Sequence, residues 1–261
     1  MRQIIFYIFT LLTLFLPLLL SSAQKAHVDG SWNSPLVYAF DNNTPIKYDT
    51  AFKAEFDRKN LYITVKCSDP DAKKIGSNPR QSLRAWPMVD SVEIFLDPPQ
   101  LKKYVQLAVG TNGNFYDSRK NHKEPKWKYE LVFNQDHWTL KFIIPFSDLG
   151  VTAENGDSWR FNICRNVRSS DNFNSTWAHV GSAFHNPANF GMLIFGSPDS
   201  AAKANDIKMK KVLDELKKEL HKKGIYSEFE DKLKAVEKNC TQQKINAIRE
   251  ESVMIEALKG L

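Results

Sequence analysis

The sequence predicts a mainly β fold: a two-sheet antiparallel β-sandwich, jelly-roll or immunoglobulin-like, with a C-terminal α-helical appendage. Short segments in which apolar and polar residues alternate follow one another over residues 28–197, as is typical of strands with one buried face. No amphipathic helix separates these segments, which argues against a βαβ fold. The pattern ends at Pro198, and from residue 203 onward apolar residues recur at helical spacing.

The amino end has the features of a secretory signal peptide. Arg2 precedes an apolar run over residues 4–20, and the small residues Ser21, Ser22 and Ala23 follow it. A membrane-spanning helix needs about 20 apolar residues, whereas this run is shorter and contains Pro17. We therefore expect cleavage after residue 23 and a secreted, periplasmic or cell-envelope location, with an uncleaved membrane anchor as the alternative. No further membrane segment is predicted.

Eight strands are predicted in order along the sandwich, separated by turns rich in Asn, Asp and Gly. They cover residues 52–56, 61–67, 91–96, 104–109, 127–133, 138–144, 159–165 and 192–195. In the third strand, Val92, Ile94 and Leu96 fall on the core side. Glu93 and Asp97 fall on the opposite side, which we expect to be open to solvent.

The helical tail, residues 203–261, is predicted to contain two or three amphipathic helices. Apolar residues recur every three or four positions in three stretches: Met209, Leu213, Leu216 and Leu220; Phe229, Leu233 and Val236; and Ile245, Ile248, Ile255 and Leu258. No catalytic motif lies in this region. We expect it to pack on itself, on the sandwich or on a partner chain.

Charge and cysteine content bear on three classes of function. The formal net charge is +6, but basic residues alternate with acidic ones, which argues against a nucleic-acid-binding surface. Cys67, Cys164 and Cys240 have neither zinc-ligand spacing nor the pattern of a disulfide framework. Alternation places Cys67 on a core face and Cys164 on the outer face of its strand. This disfavours a Cys67–Cys164 bridge but leaves it open.

Catalytic motifs are not evident. Glu93 and Asp97 are separated by about 13 Å of strand at roughly 3.3 Å per residue, whereas the paired carboxylates of glycosidases lie about 5–9.5 Å apart. The sequence contains no nucleophile elbow, no phosphate loop and no zinc-protease motif. An enzyme is therefore not favoured, although Asp90 or Asp117 could approach either carboxylate in the fold.

A tryptophan precedes the third strand and suggests a binding surface. The segment reads Trp86-Pro-Met-Val-Asp-Ser-Val-Glu-Ile-Phe-Leu-Asp97. An indole provides a flat apolar face for the C–H groups of a pyranose, and neighbouring carboxylates accept hydrogen bonds from its hydroxyls. The alternative is that Trp86 plugs an edge of the core.

Five segments together resemble carbohydrate-binding module family 9, a group of secreted β-sandwich modules related to the DOMON-like sandwiches. They are, in order, WPMVDSVEIFLDP, YVQLAVGTNGNFYDS, HWTLKFIIPFSDLG, GDSWRFNICR and AFHNPANFGMLIFG. The resemblance covers residues 28–196 and does not extend into the helical tail. It implies a non-catalytic module that binds poly- or oligosaccharide in carbohydrate catabolism. The alternatives are a hydrolase of O-glycosyl bonds in polysaccharides and an interaction scaffold on the cell envelope.

The resemblance implies a site in which two aromatic rings hold a sugar. Trp86 matches the first tryptophan of the family, apart from one extra residue in the turn, and Phe184 stands where the family has its second tryptophan. Trp177 is expected to pack in the core.

The same resemblance implies polar contacts to the sugar. Glu93 matches the family's sugar-contacting glutamate, and Gln106 and Ala108 stand where better-known members have an arginine and an asparagine. His185 and Asn186 follow Phe184 and are expected to bond to hydroxyls at the sugar's edge. No cofactor is predicted, but the family often holds structural calcium, for which the oxygen-rich candidates are Asp69, Asp71, Asp90 and Asp97.

Overall fold

The computed structural model describes residues 24–33, 38, 39, 46, 48–76, 88–119, 125–169, 173–181, 183–238 and 240–259. Within these ranges the chain forms two facing sheets followed by three helices, as the sequence predicts. The strands are β1 (Lys25–Val28), β2 (Trp32–Asn33), β3 (Tyr38–Ala39), β4 (Thr50–Phe56), β5 (Asn60–Ser68), β6 (Ser91–Asp97), β7 (Val105–Gly110), β8 (Phe115–Asp117), β9 (Lys128–Phe133), β10 (His137–Pro145), β11 (Ser158–Val167), β12 (Phe173–Thr176) and β13 (Gly191–Phe195). The helices are α1 (Ala72–Gly76), α2 (Phe146–Leu149), α3 (Pro198–Lys222), α4 (Tyr226–Lys238) and α5 (Gln242–Lys259).

The larger sheet has eight strands, with the main order β1-β13-β11-β6-β7-β8 and with β12 and β3 attached to β11. The smaller sheet has the order β2-β4-β5-β10-β9. All eight predicted strands are present, with ends that differ by at most two residues. The short strands β1, β2, β3, β8 and β12 were not predicted, because segments of two to four residues are too short to show an alternating pattern.

One pair of strands departs from the expected antiparallel arrangement. β1 runs parallel to β13, with Lys25 opposite Met192 and Val28 opposite Phe195. The other strand pairs of the described chain are antiparallel. The first and last strands of the sandwich therefore lie side by side.

The core between the sheets is rich in aromatic side chains. Trp138, Trp159 and Trp177 are all fully or almost fully buried, and Trp177 meets Phe52 edge to face at 5.4 Å. Trp177 thus packs in the core, as expected. Cys67 and Cys164 are buried and free, so the bridge that the sequence left open does not form.

The outer face of β6 is covered, contrary to the expectation of an open face. Every residue from Ser91 to Leu96 is buried. Phe95 meets the rings of His185 and Phe190 at 5.3 and 5.5 Å, because the segment between β12 and β13 folds back across this face. Carboxylates on this face therefore lie under a layer of chain rather than in open water.

The tail helix α3 begins at Pro198, before the predicted residue 203. The Ser197 hydroxyl caps its amino end by accepting from the Ser200 N–H, and Pro198 occupies the first turn, where its missing N–H removes no helical bond. The three tail helices share an apolar core of their own that includes Leu216, Leu220 and Phe229.

Contact between the tail and the sandwich is made by the first turns of α3. Gly156 of the sandwich packs closely against Ala204 of α3, since a Cβ added to the glycine would lie only 3.1 Å from the Cβ of Ala204. Lys208 also pairs with Asp157 at 2.5 Å. Among the described helices, none is long and apolar enough to span a membrane.

Candidate sugar-binding site

A cavity of about 760 Å³ opens at one edge of the larger sheet. It lies where the end of β6, the start of β7 and the strand β8 meet the loop before β13. Its lining residues are Asp97, Leu101, Lys102, Lys103, Tyr104, Val105, Gln106, Tyr116, Ser118, Arg119, Leu149, Arg160, His185 and Pro187. The cavity has the size of a small-ligand site and combines apolar walls with convergent polar groups.

A buried polar chain anchors Gln106 at the cavity wall. Gln106 donates from Nε2 to Glu93 Oε2 at 2.6 Å, and Asn166 donates from Nδ2 to Glu93 Oε1 at 2.7 Å. The three residues come together because β6 lies between β7 and β11 in the sheet. Glu93 is 5% exposed. Both oxygens of its carboxylate are thus engaged, which fixes the orientation of the Gln106 amide.

Burial raises the pKa of Glu93 above its ordinary value. The hydrogen bonds from Asn166 and Gln106, together with the positive charges of His185 and Arg168, act in the opposite direction but do not cancel the effect of burial. Glu93 can therefore gain a proton at a higher pH than an exposed glutamate. In its charged form it holds the two amides, and in its protonated form it becomes a donor.

Tyr104 and His185 form the aromatic wall of the cavity. The Tyr104 hydroxyl lies 2.8 Å from His185 Nδ1. Phe95 meets the imidazole at 90°, which supports His185 from below. Burial, and to a lesser extent the nearby Tyr116, raises the pKa of Tyr104. Two tyrosine rings and an imidazole therefore line the same space, and each carries both an apolar surface and a hydrogen-bonding group.

Two arginines of the cavity are held by acidic residues. Arg119 pairs with Asp117 at 2.6 Å and with Asp148 at 3.0 Å. Burial raises the pKa of Asp117, but the hydrogen bonds from Arg119 and Trp127 outweigh it and leave that pKa below its ordinary value. Arg160 lies 2.5 Å from Asp97 in an ion pair that lacks hydrogen-bond alignment.

The six residues named from the sequence do not all lie together. Glu93 and Gln106 are brought together by a direct bond, and His185 joins Gln106 in the cavity lining. Asn186 holds the loop, donating to the carbonyl of Val180 at 3.0 Å. Trp86 lies outside the described residues, so its stacking role stays a prediction.

Phe184 is 9% exposed and packs with the main core. Little of its ring is open to a ligand in this arrangement, although its role opposite Trp86 also stays a prediction.

Several lining residues were missed by the sequence analysis, notably Tyr104, Tyr116 and Arg160. The position of Tyr116 could have been predicted from the sequence, because the Asn112-Gly113 turn fixes the hairpin that sets Tyr116 opposite Ala108. The position of Arg160 could not have been predicted, since its place beside Asp97 depends on the pairing of β6 with β11, which are far apart in sequence.

The four candidate calcium ligands bind other groups of the protein. Each of the four carboxylates is engaged by the protein: Asp69 with Arg165, Asp71 with Lys74, Asp90 with the backbone N–H of Ser169, and Asp97 with Arg160. No group of three or more His, Cys, Asp or Glu side chains suited to a metal occurs among the described residues. These carboxylates thus bind protein donors and cations, whereas a calcium ion takes about six to eight oxygen ligands at one point.

Solved structures of sugar-binding modules have the same fold. A family 9 carbohydrate-binding module from Caldicellulosiruptor kristjanssonii in complex with glucose is 20% identical, with a TM-score of 0.52 over 67% of this chain and 96% of that one. A module of the same family and organism in complex with cellotriose is also 20% identical, with a TM-score of 0.51 over 68% of this chain and 97% of that one.

A putative carbohydrate-binding protein from Bacteroides uniformis is 15% identical, with a TM-score of 0.50 over 67% of this chain and all of that one. At these identities the likeness establishes the fold.

None of the curated proteins compared with the chain matches it. The family model described as "Carbohydrate family 9 binding domain-like" matches residues 25–197, from the first strand to the cap of α3. This match spans more than half of the sequence. The chain therefore belongs to the carbohydrate family 9 binding domain-like family.

Proposed function

We propose that this protein binds a poly- or oligosaccharide without cleaving it, and that the cavity beside Gln106 holds the sugar. The observation that carries the proposal is the bonded pair of Glu93 and Gln106 at the wall of a cavity lined by two tyrosines. Fixed amides and hydroxyls bind sugar hydroxyls, and tyrosine rings pack on the C–H faces of a pyranose. The relatives in complex with glucose and cellotriose support the same function.

The proposal includes the cellular setting. The apolar run over residues 4–20 directs the chain out of the cytoplasm, and the mature protein acts outside the cell, in the periplasm or in the cell envelope. There it brings polysaccharide to the enzymes that degrade it. The proposed partner is a saccharide, and nucleic acid is not one.

A glycan array followed by calorimetric titration tests the binding. A few rings and hydrogen bonds, each worth about 1 kcal/mol, give dissociation constants on the order of micromolar to millimolar. We expect Tyr116→Ala to weaken binding about fivefold or more, since it removes one ring from the cavity. We also expect Trp86→Ala to abolish binding.

Phe115→Ala is the matched control for Tyr116→Ala. Phe115 precedes Tyr116 on β8, is 52% exposed and does not line the cavity. Equal losses in the two variants would contradict this location. Release of reducing sugar from xylan or cellulose by the pure protein would instead support a hydrolase.

A further inference from the structure

The cavity carries more positive charge than a neutral sugar needs. The described residues that line it include the cations Lys102, Lys103, Arg119 and Arg160, and Asp97 is the only carboxylate among them. A neutral pyranose is recognised by hydroxyls, amides and ring faces, all of which the cavity already contains.

The arginines do not account for the excess charge. Arg119 is neutralised by Asp117 and Asp148, and Arg160 is paired with Asp97. Lys102 and Lys103 are exposed at the cavity mouth, in the turn between β6 and β7. Neither lysine forms an ion pair with any carboxylate in the described part of the chain. Lys102 and Lys103 are therefore the cations of the cavity mouth that the described carboxylates leave without an ion pair.

Arg160 is placed to contribute a donor to an incoming anion. Its side chain remains 50% exposed although it is paired with Asp97, and one guanidinium nitrogen makes only a long contact of 3.4 Å with the carbonyl of Pro187. A guanidinium has five N–H groups, so several remain for a second acceptor.

The sugar-binding groups lie beside these charges. Tyr104 adjoins Lys103 in sequence, just before β7, and Gln106 is the second residue of that strand. The same opening thus presents a ring, an amide and two ammonium groups. A ligand that satisfies all of them has a sugar ring with an anionic substituent.

We propose that the saccharide bound in this cavity is acidic, bearing a carboxylate or a sulfate that lies against Lys102 and Lys103. This inference rests on the proposed sugar binding and names the class of sugar. A uronate and a sulfate ester share the chemistry that these lysines recognise, and the experiment separates them.

The test uses the full chain and pairs of saccharides that differ only in charge. Trigalacturonate is compared with its methyl ester, and a sulfated galactose oligosaccharide with its desulfated form. At low salt we expect one acidic form to bind about three- to tenfold more tightly than its neutral partner, since each exposed lysine contributes a modest electrostatic term. Added salt should reduce this advantage.

Two double variants test whether Lys102 and Lys103 cause the preference for the acidic form. Lys102→Gln with Lys103→Gln should remove the preference, so that the acidic and the neutral form then bind with similar affinity. Lys211→Gln with Lys218→Gln on α3 lowers the net charge equally, at exposed positions outside the cavity. This control should retain the preference.

Three outcomes would overturn the inference: equal binding of acidic and neutral forms, equal loss in both double variants, or citrate binding as tightly as the sugar acids. The last would show a general anion patch. In each of these cases the sugar-binding proposal stands as long as the neutral saccharides bind. If no saccharide binds, charged or neutral, the proposed function itself fails.

Discussion

Glu93 links the folding of the protein to pH. Because burial raises its pKa, the folded chain keeps a proton that the unfolded chain releases once the pH passes the ordinary value of 4.5. The stability that this residue contributes is therefore present below that pH and is lost as the pH rises through the pKa of the folded state.

We expect Glu93→Gln to remove this pH dependence. The wild type should lose stability relative to the variant as the pH rises from 4.5 towards neutral, because glutamine has no charge to desolvate. The amide of Gln106 can turn to accept from the new side chain. Urea unfolding at a series of pH values measures the difference.

The control is Glu130→Gln on β9, an exposed carboxylate. A constant difference between wild type and Glu93→Gln across the pH series would contradict the role of burial.

The three thiols should differ sharply in reactivity. Burial raises the pKa of Cys67 to about 12 and that of Cys164 well above its ordinary value, whereas Cys240 is only partly buried. We expect a chromogenic disulfide reagent at pH 8 to detect one reactive thiol per chain in the native protein, that of Cys240, since thiolates are the reacting form. Unfolding without reductant should raise this to three equivalents. One equivalent after unfolding would instead reveal a Cys67–Cys164 bridge.

For single residues, the sequence predicted positions that depend on the pattern of one strand. Alternation placed Glu93 on the outer face of its strand, the family resemblance implied Glu93 and Gln106 as sugar contacts, and the two side chains do meet. Their burial was not predicted, because it is imposed by His185 and Phe190 from a segment that is distant in sequence. Alternation tells which face of a strand a residue occupies, but not what later covers that face.

Among the elements, β13 depends on a residue without a side chain. Gly191 lies between the ring of Trp177 and the carbonyl of Gln24, and an added Cβ would be 2.4 Å from Cζ3 of that ring and 2.6 Å from that oxygen. Neither atom belongs to a flexible chain end. The close approach of the ring and the amino-terminal strand therefore requires glycine here.

We expect Gly191→Ala to lower the free energy of unfolding by roughly 1–3 kcal/mol, as overpacking of a filled core does. Ser158→Ala at the exposed start of β11, the strand beside β13, should change it little. Thermal unfolding followed by circular dichroism compares them. If both variants melt like the wild type, the chain around Gly191 is looser than the structure shows.

The elements that the sequence predicted best are those with a long regular pattern. β10 and α4 show it clearly: β10 begins and ends within one residue of the predicted range 138–144, and α4 contains the predicted stripe of Phe229, Leu233 and Val236. The start of α3 was placed too late because Pro198 was taken as the end of a pattern, whereas proline at the first turn opens a helix.

At the scale of the whole molecule, the described residues form two apolar cores joined by a small contact. One core fills the sandwich and the other lies among the tail helices. The contacts that join them include Ala204 against Gly156 and the pair of Lys208 with Asp157. An exposed ion pair of this kind contributes at most about 1 kcal/mol.

We expect the fragment 24–197 to fold without the tail and to bind saccharide as the full chain does. All residues that line the cavity precede Pro198. Its far-ultraviolet spectrum should be of β type, with the helical bands of the full chain lost. A spectrum dominated by helix, or loss of binding together with the tail, would contradict this division.

The sequence predicted this arrangement of sandwich and tail from one change in the spacing of apolar residues, from every second position to every third or fourth. It did not predict which strands form the edges of the sheets, because pairing between distant strands leaves no local pattern. Lys25 lies opposite Met192 although the two residues are near opposite ends of the sandwich sequence. Neither four-residue segment, 25–28 or 192–195, has a pattern that predicts a parallel pair.

That parallel pair determines how the sandwich responds to mechanical force. When the amino end and the tail are pulled apart, β1 is drawn from Lys25 and β13 from Phe195, so the two strands are sheared along their length. In shear, the hydrogen bonds between the strands carry the load together, whereas in peeling they break one after another. Forced unfolding depends on the barrier to this collective step. A chain stretched between its two ends would thus lose its tail helices first, while the sandwich would yield last.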